Sequence, residues 1–269
     1  GSHQFFTFMW AKKKRIFFTH QLTLDIWQYY YGWGGKLLSV LEEVLLRLSR
    51  GTAITVSPST EKDLLARGFK EVYVCQEGNE IILTQLPAIA IKDEYLLYVG
   101  RLLPYKRVED VIMLAKALDR HVKVMGRGPA KYINKLIELV KENHVDCEFT
   151  GYVSKEDKIE IMKKAYMLVL PSIREGWGLV ITESANLGTP SLVYNVSVVV
   201  DAVKNGEAGF IADQINYLSL VQKIKNMTPE SYAEIRENAF NYSLEFTWEQ
   251  TANQFSDTVN GIIENRSKI

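Results

Sequence analysis

Two hydropathy periods alternate along most of this chain. From Ala88 onward, short β-rich runs alternate with amphipathic helical patterns, the signature of βαβ units and a parallel sheet. Runs at residues 95–100, 122–126, 147–151, 167–171, 191–194 and 209–211 predict strands. Between them, apolar residues at three- and four-residue spacing predict helices over 108–118, 131–142, 155–164 and 179–187. These elements make a Rossmann-like domain of the α/β class.

The first part reads differently. Residues 16–19, 53–57 and 72–75 give only three strands, joined by one long helical pattern over 36–49. That looks like the tail of a sheet. A terminal helical pattern follows Thr247, which is placed to cap a helix opening Trp248-Glu249-Gln250. Pro87 suits neither the middle of a strand nor that of a helix, so a linker is expected within 78–91. The expected organisation is a remnant α/β domain over 1–87, a complete Rossmann-like domain over 88–247 and a terminal helix over 248–269. Gly1-Ser2-His3 reads as an expression scar and is left out of the fold.

Composition removes several classes of function. Lys plus Arg and Asp plus Glu balance at 32 each, so no global field favours nucleic acid. No apolar run reaches the ~18 residues needed to span a bilayer, and no secretory leader opens the sequence. Cys75 and Cys147 stand far apart in strand-like apolar contexts, without zinc or disulfide spacing, which fits buried free thiols in a cytoplasmic protein. The basic aromatic stretch from Trp10 to Arg15 reads as a solvated turn or as a peripheral contact with anionic lipid at the cytoplasmic membrane surface.

Three segments carry chemistry. In the first, Gly100-Arg101-Leu102-Leu103-Pro104-Tyr105-Lys106-Arg107 joins a strand to a helix. Loops at the carboxyl ends of parallel strands face the ligand crevice, and a helix start offers N–H groups to anions. Arg101 and Lys106 therefore read either as diphosphate ligands or as surface cations, and Arg107 reads as a surface cation. In the second, Gly126-Arg127-Gly128 lacks the third glycine of a dinucleotide fingerprint and reads as turn chemistry. The third, from Pro171 to Glu183, has a strand end, a glycine-rich turn with Glu175 at its mouth, and a helix start. Glu183 falls on a mostly apolar helix surface, where a carboxylate needs hydrogen bonds or a cation. Sugar or ribose hydroxyls would supply the first, a structural salt bridge the second.

Together with Gly151-Tyr152-Val153 and the seven-residue gap between Glu175 and Glu183, these segments resemble the retaining glycosyltransferases of family four. The similarity runs from about Phe17 to Trp248. It implies a GT-B fold of two facing Rossmann-like domains, with this chain lacking most of the first, acceptor-side domain: a truncated or naturally short member. It implies a hexosyl transfer from a UDP-, GDP- or ADP-sugar to a glycan, lipid-linked or small-molecule acceptor, with retention, no metal and no separate cofactor. Arg101 and Lys106 would contact the donor diphosphate, Glu183 the ribose hydroxyls, and Glu175 the donor sugar beside the backbone of Gly176, Trp177, Gly178 and Leu179. Tyr152 and Val153 would lie at the base, Thr182 near a phosphate oxygen, and His20, after Phe17-Phe18-Thr19, at the transferred sugar.

The chain departs from the family pattern at Arg127, where an acid is usual, and at Val196-Ser197-Val198-Val199, where a glycine pair is common. Two other readings stand beside transfer. Glu175 and Glu183 could be the paired carboxylates of a glycoside hydrolase, or the chain could bind a nucleotide sugar without acting on it.

Overall fold

A computed structural model of the protein describes residues 16–23, 26–48, 51–88 and 95–267. Gly1-Ser2-His3, the basic stretch at 10–15 and residues 89–91 of the expected linker lie outside the described residues. The chain divides into two compact units: the described residues up to Glu77 with those from Trp248 on, and Gly78–Thr247.

The smaller unit holds a parallel three-stranded sheet of β1 (Ile16–Thr19), β2 (Thr52–Thr55) and β3 (Glu71–Val74), in that order. Helices α1 (Ile26–Tyr31) and α2 (Trp33–Leu48) join the first two strands, and α3 (Pro58–Ala66) joins the second pair. Strand β2 stops two residues before the predicted end because Ser57 is the cap of α3: its Oγ accepts from the Thr60 N–H at 3.2 Å, and Pro58 follows at the first helical position. Helix α1 is an addition to the expected elements. It turns into α2 at Gly32 (φ 53), and a Cβ on Gly35 would lie 2.2 Å from the Trp27 carbonyl oxygen, so only glycine fits that crossing. Helix α11 (Trp248–Ser267) completes this unit, with Ile262 packed on Ile54 and Cys75 and Thr251 bonded to the Gln76 carbonyl.

The larger unit runs β4 (Leu96–Val99), α4 (Val108–Leu118), β5 (Val122–Met125), α5 (Ala130–Asn143), β6 (Cys147–Gly151), α6 (Lys155–Lys164) and β7 (Met167–Leu170). It continues with α7 (Leu179–Asn186), β8 (Ser191–Tyr194), α8 (Ser197–Ala202), β9 (Phe210–Ala212), α9 (Tyr217–Lys225) and α10 (Pro229–Ser243). Six parallel strands lie in the order β6-β5-β4-β7-β8-β9. Strands β4, β7 and β8 are buried along almost their whole length, which is why they read as unbroken apolar runs.

The valine-rich segment after Asn195 forms α8, whose Val198 and Val199 turn into the core, although β-branched residues favour strands. Helices α9 and α10 are also additions, although their caps are written in the sequence. Asn216 accepts from the Ser219 N–H, and Thr228 with Ser231 forms a capping box ahead of Pro229.

Segment 78–88 is fastened to the larger unit. Asn79 bonds to Phe246 and Ser243, the Asn186 side chain accepts from the Leu83 N–H at 2.6 Å, and Arg236 donates to the Gly188 and Pro87 carbonyls.

Candidate functional site

The strand order fixes where a ligand can sit in the larger unit. The chain enters at β4, winds one way through β5 and β6, then crosses back beside β4 and winds the other way through β7, β8 and β9. The loops leaving β4 and β7 diverge there, opening the crevice at which open α/β sheets bind ligands. The first and third chemistry-bearing segments are those two loops.

After β4, Gly100 takes a left-handed φ of 154 and the chain passes through a 3₁₀ turn at Pro104–Lys106. This loop lies against the one after β5. The Leu102 N–H donates to the Arg127 carbonyl at 2.8 Å, and a Cβ on Gly126 or Gly128 would come within 1.8 Å of the Gly100 oxygen or 2.1 Å of the Leu102 oxygen. The Gly126/Gly128 pair is therefore turn chemistry of a specific kind, clearing the neighbouring backbone. Arg107 is structural: with φ at 52, it donates to Asp110 at 2.5 Å, and Asp110 also accepts from the Tyr194 hydroxyl.

Arg101 is exposed, its guanidinium 3.4 Å from the Tyr105 hydroxyl, with no acid beside it among the described residues. Lys106 is the opposite case. Its Nζ lies 2.5 Å from Glu175 Oε1, with 10% and 12% of the two side chains exposed. Burial pulls the Lys106 ammonium below its ordinary pKa, against the raising effect of Glu175. A backbone bond from the Ile173 N–H to the Tyr105 carbonyl at 3.0 Å ties the two loops together.

Beyond Glu175 the turn runs to Gly178, which opens α7 at φ 95 with no side-chain cap. The first N–H groups of α7 have no side chain of their own to satisfy them there. The Trp177 ring turns inward onto Phe246, centroids 5.4 Å apart, so this residue offers the crevice its backbone only. Leu179 is half-buried at the helix start. The Thr182 hydroxyl is buried and donates its one proton to Asn79 Oδ1 at 2.5 Å, with the Leu179 carbonyl 3.0 Å away.

Glu183 has the cation its apolar setting demanded: Lys158 Nζ on α6 donates to Oε2 at 2.6 Å, with 29% of the lysine and 9% of the glutamate side chain exposed. Sequence reasoning misses Lys158. The available signal is its place in the first turn of the helix that follows Gly151-Tyr152-Val153. Tyr152 is 75% exposed, the Arg127 guanidinium lies over its ring at 4.7 Å, and Val153 is half-buried beside it. Arg127 thus fills its unusual position as a partner for Tyr152.

In the smaller unit, His20 follows β1 with 48% of its side chain exposed and Nδ1 3.0 Å from Glu77 Oε1. The hydrogen bond to Glu77 raises the imidazole pKa above its ordinary value, burial opposing. Among the described residues, no three His, Cys, Asp or Glu gather as metal ligands, and no helix is long and apolar enough to cross a membrane.

The profile of the family described as Glycosyl transferases group 1 matches residues 84–242, more than half of the chain and the whole of the crevice. The chain belongs to this family. This group 1 chain is 31% identical over 158 residues to an uncharacterized glycosyltransferase of Methanocaldococcus jannaschii, covering 57% of this chain and 44% of that one. It is 28% identical over 242 residues to a glycogen synthase of Mycobacterium tuberculosis, covering 82% and 57%. It spans about half the length of the curated relatives it matches.

Among solved structures, it resembles the sucrose-phosphate synthase of Thermosynechococcus elongatus, with a TM-score of 0.76 and 20% identity over 93% of this chain and 68% of that one. The Anabaena protein HepE, solved with UDP-glucose, gives a TM-score of 0.77 and 16% identity over 96% and 75%. The α/β class and the GT-B type of fold are thus those of this group 1 chain.

Proposed function

We propose that this chain carries the nucleotide-sugar side of a hexosyltransferase that works with retention of configuration. The observation that carries the reading is the meeting, at the β4/β7 divergence, of Arg101 and Lys106 from one loop with Glu175 and an uncapped helix start from the other.

Breaking the bond between a sugar and a nucleoside diphosphate requires stabilisation of negative charge on the departing phosphate and of positive character at the sugar carbon. Arg101, with no carboxylate beside it among the described residues, and Lys106, partly desolvated, supply the first together with the amides at Gly176–Gly178; no metal is needed. Glu175 holds the hydroxyls of the donor sugar and fixes Lys106. Glu183 takes the ribose hydroxyls, Tyr152 and Val153 border the base, and Leu179 borders the phosphates. Each glutamate answers to a different lysine, which suits separate subsites on one extended donor better than a hydrolase pair across one bond.

Retention follows from attack on the face the nucleotide leaves, with the donor phosphate taking the acceptor proton; no protein nucleophile is assigned. The acceptor is a glycan, a lipid-linked glycan or a small molecule, and the free thiols of Cys75 and Cys147 fit a cytoplasmic setting.

The UDP-glucose complex of HepE makes UDP-sugars the first donors to try. A thermal-shift series with UDP, GDP, ADP and their sugar conjugates should raise the Tm with one nucleotide. Arg101→Ala should remove that shift without lowering the ligand-free Tm, because the side chain is exposed. No shift with any nucleotide would sink the reading. A shift without sugar transfer or donor hydrolysis would assign this chain to binding alone.

A further inference from the structure

The pairing of Glu183 with Lys158 joins two helices that follow different strands, α6 after β6 and α7 after β7. Lys158 stands in the first turn of α6, the helix that begins just after Tyr152 and Val153. Glu183 Oε1 has no partner among the described residues, and Oε2 accepts only from Lys158. A carboxylate has about four lone-pair sites, so room remains for two O–H donors. An ammonium has three N–H donors, and Lys158 uses one on Glu183. Two donors are left on a side chain that still reaches the surface.

We propose that Lys158 belongs to the ribose subsite, where it holds the Glu183 carboxylate in one orientation and donates a hydrogen bond of its own to a ribose hydroxyl oxygen. This rests on the nucleotide-sugar reading above. Each vicinal hydroxyl of a ribose can give its proton to Glu183, and one of them accepts from Lys158 in return. The pair reads a hydroxyl as both donor and acceptor, a pattern that a deoxyribose cannot meet. Removing the 2′-hydroxyl leaves a buried acceptor and a charged donor unmatched, so the site selects ribonucleotides. Lys158 also orders Glu183 before the ligand arrives, sparing the ligand the cost of freezing a long side chain.

Of the two lysine–glutamate pairs, this one can be altered without touching the diphosphate cations. Lys106 is held by Glu175, and a change there disturbs phosphate and sugar contacts together. A change at Lys158 leaves Arg101, Lys106 and Glu175 in place. Lys158→Met keeps the aliphatic stem and removes the charge; Lys158→Arg restores a cation that reaches the same carboxylate.

The test is isothermal titration of the chain with UDP, GDP and ADP and with the 2′-deoxy form of whichever binds. For the wild type, the ribonucleotide is expected to bind roughly tenfold to a hundredfold more tightly than its deoxy form, the range of one or two hydrogen bonds to charged groups. Lys158→Met should narrow that ratio to about threefold or less, chiefly by weakening the ribonucleotide, and Lys158→Arg should restore most of it. Ligand-free Tm values within a few degrees of one another show that the variants fold. A wild-type ratio retained by Lys158→Met overturns the proposal, and so does an equal loss for both nucleotides, which would mark Lys158 as a mere contributor of charge. A wild type that binds no nucleoside diphosphate overturns this inference and the functional reading together.

Discussion

The two units are built from the same strand-helix repeat and bury it differently. In the larger unit, β4, β7 and β8 are enclosed on both faces, and hydropathy alone reveals them. In the smaller unit, helix α2 contradicts its own pattern. Trp33 is 87% and Leu37 74% exposed, and Val40, Leu41, Val44 and Leu48 also face outward, while Glu42 is buried beside Leu46. Glu42 is stable there because it accepts from the Thr23 N–H at 3.0 Å, the Thr23 hydroxyl at 2.7 Å and Trp27 Nε1 at 2.5 Å. The lesson is that specific hydrogen bonds and one close crossing at Gly35 can set which side of a helix turns inward, against the preference of its apolar residues.

That contrast can be broken in three ways. The largest effect is expected at Leu97, fully buried in the central strand β4: Leu97→Ala should lower stability by about 2–5 kcal/mol in urea denaturation. A smaller but more telling change is Glu42→Leu. By hydropathy it should help; in this structure it strands the Thr23 and Trp27 donors and should cost about 1–3 kcal/mol. Its control is Leu37→Lys on the outward face, expected within about 0.5 kcal/mol of the wild type. If Leu37→Lys instead unfolds the chain while Glu42→Leu is neutral, the described orientation of α2 is wrong.

The smallest effect concerns His20. Glu77 raises the folded-state pKa of this group above its ordinary value of 6.5. The stability it contributes is therefore complete below the unfolded-state pKa and lost as the pH rises through the folded-state pKa. A His20→Gln variant should melt slightly below the wild type under mildly acidic conditions and together with it in alkali, a gap of about 2 °C or less since the imidazole is half exposed. A gap that instead grows with pH would mean the pair is not formed.

Much of the candidate site is legible in the sequence. Arg101, Lys106, Glu175 and Glu183 stand out because loops after strands and helix starts have fixed positions in a parallel sheet, so sequence order alone brings them near one crevice. Their partners stay hidden. Lys158 lies 25 residues before Glu183, and Asn79 lies 103 before Thr182; no local period connects such pairs. Helices α9 and α10 escape for a different reason, since their caps are present and only the weighting of apolar periodicity over capping conceals them.

The βα alternation, membership of the group 1 glycosyltransferases and the loops of the candidate site can be read from the sequence, because each of these is written in short-range spacing. The inward turn of the Trp177 ring, the meeting of Glu183 with Lys158 and the burial of Glu42 on a helix that turns Leu37, Leu41 and Leu48 outward are settled by the tertiary structure alone. Those outcomes depend on which groups arrive from distant elements to satisfy a buried donor or charge, and a linear pattern holds no record of that meeting.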